Sequence, residues 1–145
     1  MPAGKGQSIG RARWVLVAAV TAAGLLGVVT VWVTLALLTG LACGWMGLVA
    51  ALDFALLLRL VRTPPGRART AIAVLATGLA CVASAWLIVA GQFGAMLGLD
   101  PIRSAVRLGP VLAWEFTRLG FTPWDWACVA FSPLLAFALL RERRA

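Results

Sequence analysis

One carboxylate lies in the middle of an apolar stretch long enough to cross a membrane. The stretch runs from Leu41 to Leu60, and the carboxylate belongs to Asp53. At about 1.5 Å per helical residue, Asp53 lies ~12 Å from Trp45 and ~9 Å from Arg59, inside a hydrocarbon core roughly 30 Å thick. Ionisable groups at this depth commonly mark proton or ion paths, so Asp53 is the first residue whose chemistry needs an explanation.

Three interpretations of Asp53 are consistent with the sequence. The carboxyl group can couple proton or ion movement, it can donate a hydrogen bond that only fixes helix packing, or it can pair with a cation on another subunit. No lysine or arginine of this chain is predicted at the same depth, and Arg59, the nearest, falls on a different face of the helix. Packing is the simplest of the three interpretations.

Polar side chains in two other apolar stretches reach a similar depth. If every stretch is centred in the membrane, these side chains lie near the level of Asp53, and the sequence predicts a band of polar groups at the midplane. Its candidate members are Asp53, Thr77, Cys81, Ser84 and Ser132. The types of Asp53 and Ser132 would also suit a membrane hydrolase, but nothing else in the sequence supports that chemistry.

Two arginines one helical turn apart, Arg103 and Arg107, form a second candidate site. Side chains at i and i+4 share a helix face, so the two guanidinium groups could hold one phosphate or carboxylate through charge-assisted hydrogen bonds. Contact with lipid headgroups is the simpler explanation of the pair.

Several kinds of chemistry have no residues to support them. The chain has no histidine, which excludes histidine ligation of haem or zinc and removes the commonest general base. Cys43, Cys81 and Cys128 are far apart and form no CxxC motif, although Cys43 and Cys128 fall toward the same side and could pair. No phosphate-binding glycine loop is present. We therefore expect no enzyme, no metal site and no cofactor.

The composition indicates an integral membrane protein. Hydrophobic residues make up 62% of the 145 residues, charged residues only 12%, and the mean hydropathy is +0.96. Soluble domains contain about 45–50% apolar and about 25% charged residues. The expected fold is all-α, a single transmembrane domain over residues 1–145, with no room for a separate catalytic domain.

Four stretches are predicted to span the membrane, at about residues 14–38, 41–60, 71–92 and 123–140. The first has 25 residues without a charge, which is longer than the core of a signal peptide and predicts a retained span. The last begins with Thr122, Pro123 and Asp125, a cap residue, a first-turn proline and an acid that favours the helix start.

Residues 101–119 are predicted to form two short amphipathic helices between the third and fourth spans. The segment carries too many charges to cross a membrane, and Pro101 and Pro110 suit the first turns of two helices. Such helices lie along a membrane surface with their apolar side toward lipid.

Basic residues predict the orientation. Ten of the 13 lysines and arginines precede the first span, lie between the second and third, or follow the fourth. The positive-inside rule places these segments, and both chain ends, in the cytoplasm. The excess of arginine over lysine is typical of a high-GC bacterial gene, so we expect a multi-pass protein of the bacterial inner (plasma) membrane.

Two kinds of function fit this description. The first is a non-enzymatic subunit or scaffold of a membrane complex, favoured by small-residue helix faces such as that of Ala76, Ala80 and Ser84. The second is a small oligomeric transporter or channel with Asp53 as its coupling carboxylate. Expected partners are the lipid bilayer and other membrane subunits or further copies of the chain. We expect no nucleic-acid binding, because the basic residues flank the spans.

Overall fold

The computed structural model describes residues 5–63, 66–98 and 100–141, and over these ranges the chain is helical without strands. Its helices are α1 (Lys5–Thr39), α2 (Met46–Leu60), α3 (Arg67–Leu97), α4 (Pro101–Arg107), α5 (Pro110–Gly120) and α6 (Pro123–Leu140). Within the described residues, three helical segments could cross a membrane by length and composition: Ala12–Thr39, Arg67–Leu97 and Pro123–Leu140. The 15 residues of α2 are a shorter helix than the span predicted at 41–60.

The long helices alternate in direction. At one end, the Arg13 side chain donates to the carbonyl of Arg62, and Arg59 Nη2 donates to the carbonyl of Leu139 at 2.7 Å. These bonds bring together the start of α1 and the ends of α2 and α6, and α3 begins beside them. We call this the basic end; its described residues include Arg13, Arg59, Arg62, Arg67, Arg69 and Arg141. At the opposite end, Gly44 N donates to Asp125 Oδ1 at 2.7 Å.

Small side chains fill most of the space between the helices. Fully buried alanines occur on α1, α2, α3 and α6, and the largest side chains that are almost completely buried are Trp32, Phe54, Leu58 and Ile88. Small residues let helix backbones approach closely, which replaces the hydrophobic driving force that is missing between helices in lipid.

A tight turn separates α1 from α2 and occupies the start of the predicted second span. Gly40 and Cys43 have positive φ values of 69° and 50°, which end α1 and reverse the chain. Trp32 Nε1 donates to the carbonyl of Ala42 at 3.0 Å and holds the turn against α1. The helix then begins at Met46, because residues in this conformation cannot continue a helix.

The C-terminal half of α3 packs against α4 and α5. With 31 residues, α3 is about 46 Å long, which exceeds a hydrocarbon core of roughly 30 Å. Trp86 Nε1 donates to the carbonyl of Ala105 at 3.2 Å, and the rings of Phe93 and Phe116 lie 4.9 Å apart. The short helices therefore fold back along α3.

Candidate functional site

Asp53 lies in an open groove between α1 and α2, which we call the Asp53 groove. The groove has a volume of about 390 Å³. Its described lining residues are Gly24, Gly27, Val28, Val31, Met46, Val49, Asp53 and Leu57. Apart from Asp53, all of them are apolar or glycine. Gly27 of α1 leaves open space in the groove, because an added Cβ there meets no atom within 4 Å, whereas at Gly24 it would collide with Leu57. The sequence signal for the groove, Gly-Leu-Leu-Gly, is short and easily overlooked.

The Asp53 carboxylate is half-buried and has no hydrogen-bond partner within the described residues. On the α1 side of the groove, an added Cβ at Gly24 would lie 3.7 Å from Asp53 Oδ2. A carboxyl group held among apolar side chains without a partner costs free energy. The structure therefore gives no intramolecular packing bond to Asp53 in the part of the chain that it describes.

A separate polar cluster lies between α2, α3 and α6. Ser132 is fully buried, its hydroxyl donates to the carbonyl of Cys128 at 2.7 Å, and it lies beside the Cys81 thiol. Both side chains pack against Gly47, where a Cβ would collide with the Ser132 hydroxyl. Gly47 and Asp53 are six residues apart, roughly 240° around an α-helix. The structure thus brings Ser132 to Cys81 and directs Asp53 elsewhere.

The remaining members of the predicted polar band are buried within the bundle. Thr77 Oγ1 donates to the carbonyl of Ala73 in its own helix at 2.8 Å. Ser84 Oγ is buried and has no hydrogen-bond partner among the described residues. Neither these two residues nor Ser132 line the Asp53 groove. The predicted residues share the interior of the bundle but do not form one site with Asp53.

Arg103 and Arg107 are both exposed on α4, at the end of the bundle opposite the basic end. Between them, Ser104 is buried, and its hydroxyl has no hydrogen-bond partner in the described part of the chain. The arginine pair is therefore available to solvent or lipid headgroups rather than used inside the fold.

Among the described carboxylates, Asp125 makes the most hydrogen bonds, although the sequence marks it only as part of a helix start. Its Oδ2 accepts from the backbone N of Thr122 at 3.0 Å and from Thr122 Oγ1 at 2.6 Å, and Thr122 Oγ1 in turn accepts from Asp125 N. Its Oδ1 accepts from Gly44 N. Asp125 therefore fixes α6 to the start of α2 and is a structural residue.

The cysteines are all buried and free. In residues 5–63, 66–98 and 100–141, no group of three or more histidine, cysteine, aspartate or glutamate side chains is placed to hold a metal ion. Cys43 and Cys128, which could have paired by the sequence, are not joined.

The chain matches no protein-family model, no curated protein and no solved structure. The Asp53 groove and the distribution of charge are therefore the features that bear on its function.

Proposed function

We propose that the protein is a non-enzymatic subunit of a membrane complex and that the Asp53 groove receives a helix of a partner protein. The observation that carries this proposal is the half-buried carboxylate of Asp53, which lies in an apolar groove and has no partner among the described residues. A lysine or arginine on the incoming helix, placed at the depth of Asp53, would neutralise it.

The charge distribution favours a different protein over a second copy as the occupant. The arginines of α1, α2 and α3 lie at the basic end, and those of α4 and α5 lie at the opposite end. A second copy therefore offers Asp53 no cation from the middle of its described helices. The open surface at Gly27, where an added Cβ meets no atom within 4 Å, also suits close approach of a foreign backbone.

We also propose four crossings, with both chain ends in the cytoplasm of a bacterium. The start of α1 and the start of α3 lie at the same end of the bundle. If both helices cross the membrane, the chain between them must cross back, and α2 is the helix available there. The concentration of arginine at the basic end supports a cytoplasmic position for that end.

The short helices α4 and α5 would then lie at the outer surface of the membrane. Their exposed apolar side chains support this position; Val106 is 84% exposed, Val111 77% and Leu119 80%. Apolar side chains of interfacial helices enter the boundary between headgroups and acyl chains.

Reporter fusions test the four crossings. Green fluorescent protein fused after Arg62 or after Ala145 is expected to fluoresce in the cytoplasm, and fusions after Gly40 or Gly98 are expected to stay dark. Alkaline phosphatase, which is active only outside the inner membrane, should give the reverse pattern at every position. Phosphatase activity after Arg62 would show that α2 does not return the chain to the cytoplasm.

The partner proposal predicts loss of one bound subunit when Asp53 is changed to asparagine. Complexes extracted from native membranes in mild detergent would be weighed intact by mass spectrometry, and the partner identified by its peptides. We expect the partner fraction to fall about tenfold or more in Asp53→Asn, because a lost ion pair in a low-dielectric site costs more than about 1.4 kcal/mol. Asp53→Lys should bind again when the partner's membrane-embedded cation is changed to aspartate.

Two glycine variants separate groove filling from damage to the fold. A Cβ at either Gly27 or Gly78 meets no atom within 4 Å, but only Gly27 lines the Asp53 groove. Gly27→Leu should therefore displace the partner, and Gly78→Leu should not. Retention of the partner in both Asp53→Asn and Gly27→Leu would contradict the proposal, as would an intact mass that is a simple multiple of this chain.

A transporter or channel with Asp53 as the coupling carboxylate is the second candidate, favoured by the same unpaired group. The interior beside α2 is filled by Ala50, Phe54 and Ala80, each fully buried. A path past Asp53 would accordingly run between subunits rather than through one bundle. Proton flux into liposomes that contain only the purified chain, abolished by Asp53→Asn, would favour this candidate over the subunit.

A further inference from the structure

A cavity between α3 and α6 at the basic end combines a charged part with an apolar part. Its volume is about 450 Å³. The described residues that line it are Gly66, Arg67, Thr70, Ala71, Val74, Phe137, Leu140 and Arg141. Both helices pass from polar to apolar residues in the direction of the membrane centre, from Arg67 to Val74 on α3 and from Arg141 to Phe137 on α6. We call it the α3–α6 cavity.

A phospholipid has the same arrangement, with a charged headgroup at the membrane surface and apolar chains toward the membrane centre. We propose that the α3–α6 cavity binds one anionic phospholipid, with its phosphate between the guanidinium groups of Arg67 and Arg141 and an acyl chain along Val74 and Phe137. Guanidinium groups bind phosphate oxygens through paired, charge-assisted hydrogen bonds. The Thr70 hydroxyl, one turn into α3, lies at the boundary between the two parts.

The two arginines differ from their neighbours at the basic end in what they contact. The side chains of Arg13 and Arg59 donate to the carbonyls of Arg62 and Leu139, so they serve the fold. Arg67 and Arg141 make no hydrogen bond or ion pair through their side chains with any described residue. The Arg141 guanidinium lies 5.8 Å from the centre of the Phe137 ring, which keeps it over the apolar wall.

The apolar wall distinguishes a lipid from a free anion. Phosphate in solution makes no use of Val74, Phe137 and Leu140, whereas the acyl chain of a phospholipid can pack against all three. A phospholipid also arrives with its phosphate already at the membrane surface, where the arginines of the basic end lie under the proposed topology. The site is independent of the partner proposed above, because it is built from α3 and α6 and not from the Asp53 groove.

Binding can be measured on the purified chain alone. Delipidated protein in mild detergent would be titrated with dioleoylphosphatidylglycerol, with dioleoylphosphatidylcholine, and with inorganic phosphate, and bound molecules counted by native mass spectrometry. We expect one phosphatidylglycerol per chain to bind about tenfold or more tightly than phosphatidylcholine. Inorganic phosphate at the same concentrations should neither bind nor displace the lipid.

Variants of matched charge assign the binding to this cavity. The double variant Arg67→Gln/Arg141→Gln should bind phosphatidylglycerol about tenfold or more weakly. The control Arg62→Gln/Arg118→Gln removes the same charge from two exposed arginines that do not line the cavity, and it should bind the lipid like the original protein. Ala71→Trp fills the lining without changing charge and should also weaken binding.

Three results would overturn the proposal. They are equal loss of binding in both double variants, unchanged binding in Arg67→Gln/Arg141→Gln, and effective competition by inorganic phosphate. The melting temperature in detergent without lipid serves as a folding check for each variant. If Arg67→Gln/Arg141→Gln unfolds, the single variants and Ala71→Trp carry the test, and unchanged lipid binding in these would equally overturn it.

Discussion

Replacing Asp125 with alanine is expected to destabilise the helical bundle by about 3 kcal/mol. The carboxylate accepts from Gly44 N at 2.7 Å and from Thr122 N and Oγ1 at 3.0 and 2.6 Å. Without it, the buried N–H of Gly44 has no acceptor and α6 loses half of its capping box. Thermal unfolding in detergent, followed by circular dichroism, should show a clearly lowered melting temperature.

Asp100→Ala is the matched control for Asp125→Ala. Asp100, like Asp125, lies at the start of a helix whose first residue is proline, but it is the cap residue, is exposed and makes no side-chain capping bond. Its removal should change stability by less than about 0.5 kcal/mol. Equal melting temperatures for the two variants would mean that the contacts of Asp125 add nothing to the stability of the bundle.

The start of α6 could be predicted from the sequence because a capping box is local. Thr122, Pro123 and Asp125 are all within four residues, and the structure contains the reciprocal bonds that their types imply. The bond from Gly44 to Asp125 joins residues 81 positions apart. It depends on how α2 packs against α6, which no local pattern encodes.

The α1–α2 turn is a second feature that could not be predicted from the sequence. Apolar character continues from Leu41 into α2, so hydropathy alone predicts a longer span than the helix that forms. The positive φ of Gly40 is a conformation that glycine favours, but that of Cys43 is not. The contact of Trp32 with Ala42 helps to hold this conformation and arises only once the chain has folded.

The predicted band of polar groups depends on two things: how deep each residue lies along its helix, and which way its side chain points. Depth along a helix follows from the rise per residue, so the sequence can place Asp53 and Ser132 in the interior of their helices. The neighbour that each side chain faces depends on how the helices are rotated. Asp53 faces the groove beside Gly24, whereas Ser132 faces Cys81 across Gly47. Ser132 and Cys81 meet at Gly47, which precedes Asp53 by six residues, about 9 Å along α2, so these side chains differ from Asp53 in level as well as in direction.

Gly44→Ala is the second substitution expected to have a large effect, a loss of about 2–3 kcal/mol. An added Cβ at Gly44 would lie 2.5 Å from Asp125 Cα and 2.6 Å from Asp125 Cβ. Because these atoms belong to the backbone and the first carbon of the side chain, no rotamer change can relieve the overlap, and α2 and α6 must separate. Gly78→Ala, whose Cβ meets nothing within 4 Å in α3, should leave stability unchanged or raise it slightly, since alanine favours helix more than glycine.

A double-mutant cycle connects the two substitutions, because both act on the same contact. Moving α2 away from α6 already breaks the bond from Gly44 N to Asp125, so the double variant Gly44→Ala/Asp125→Ala should lose less stability than the two single losses added together. The cycle would be measured from melting temperatures of the four proteins in one detergent, with Gly78→Ala/Asp125→Ala as an additive reference. Strictly additive losses in Gly44→Ala/Asp125→Ala would show that the glycine and the carboxylate stabilise the bundle independently. The packing of α2 on α6 beside Gly44 would then explain neither loss of stability.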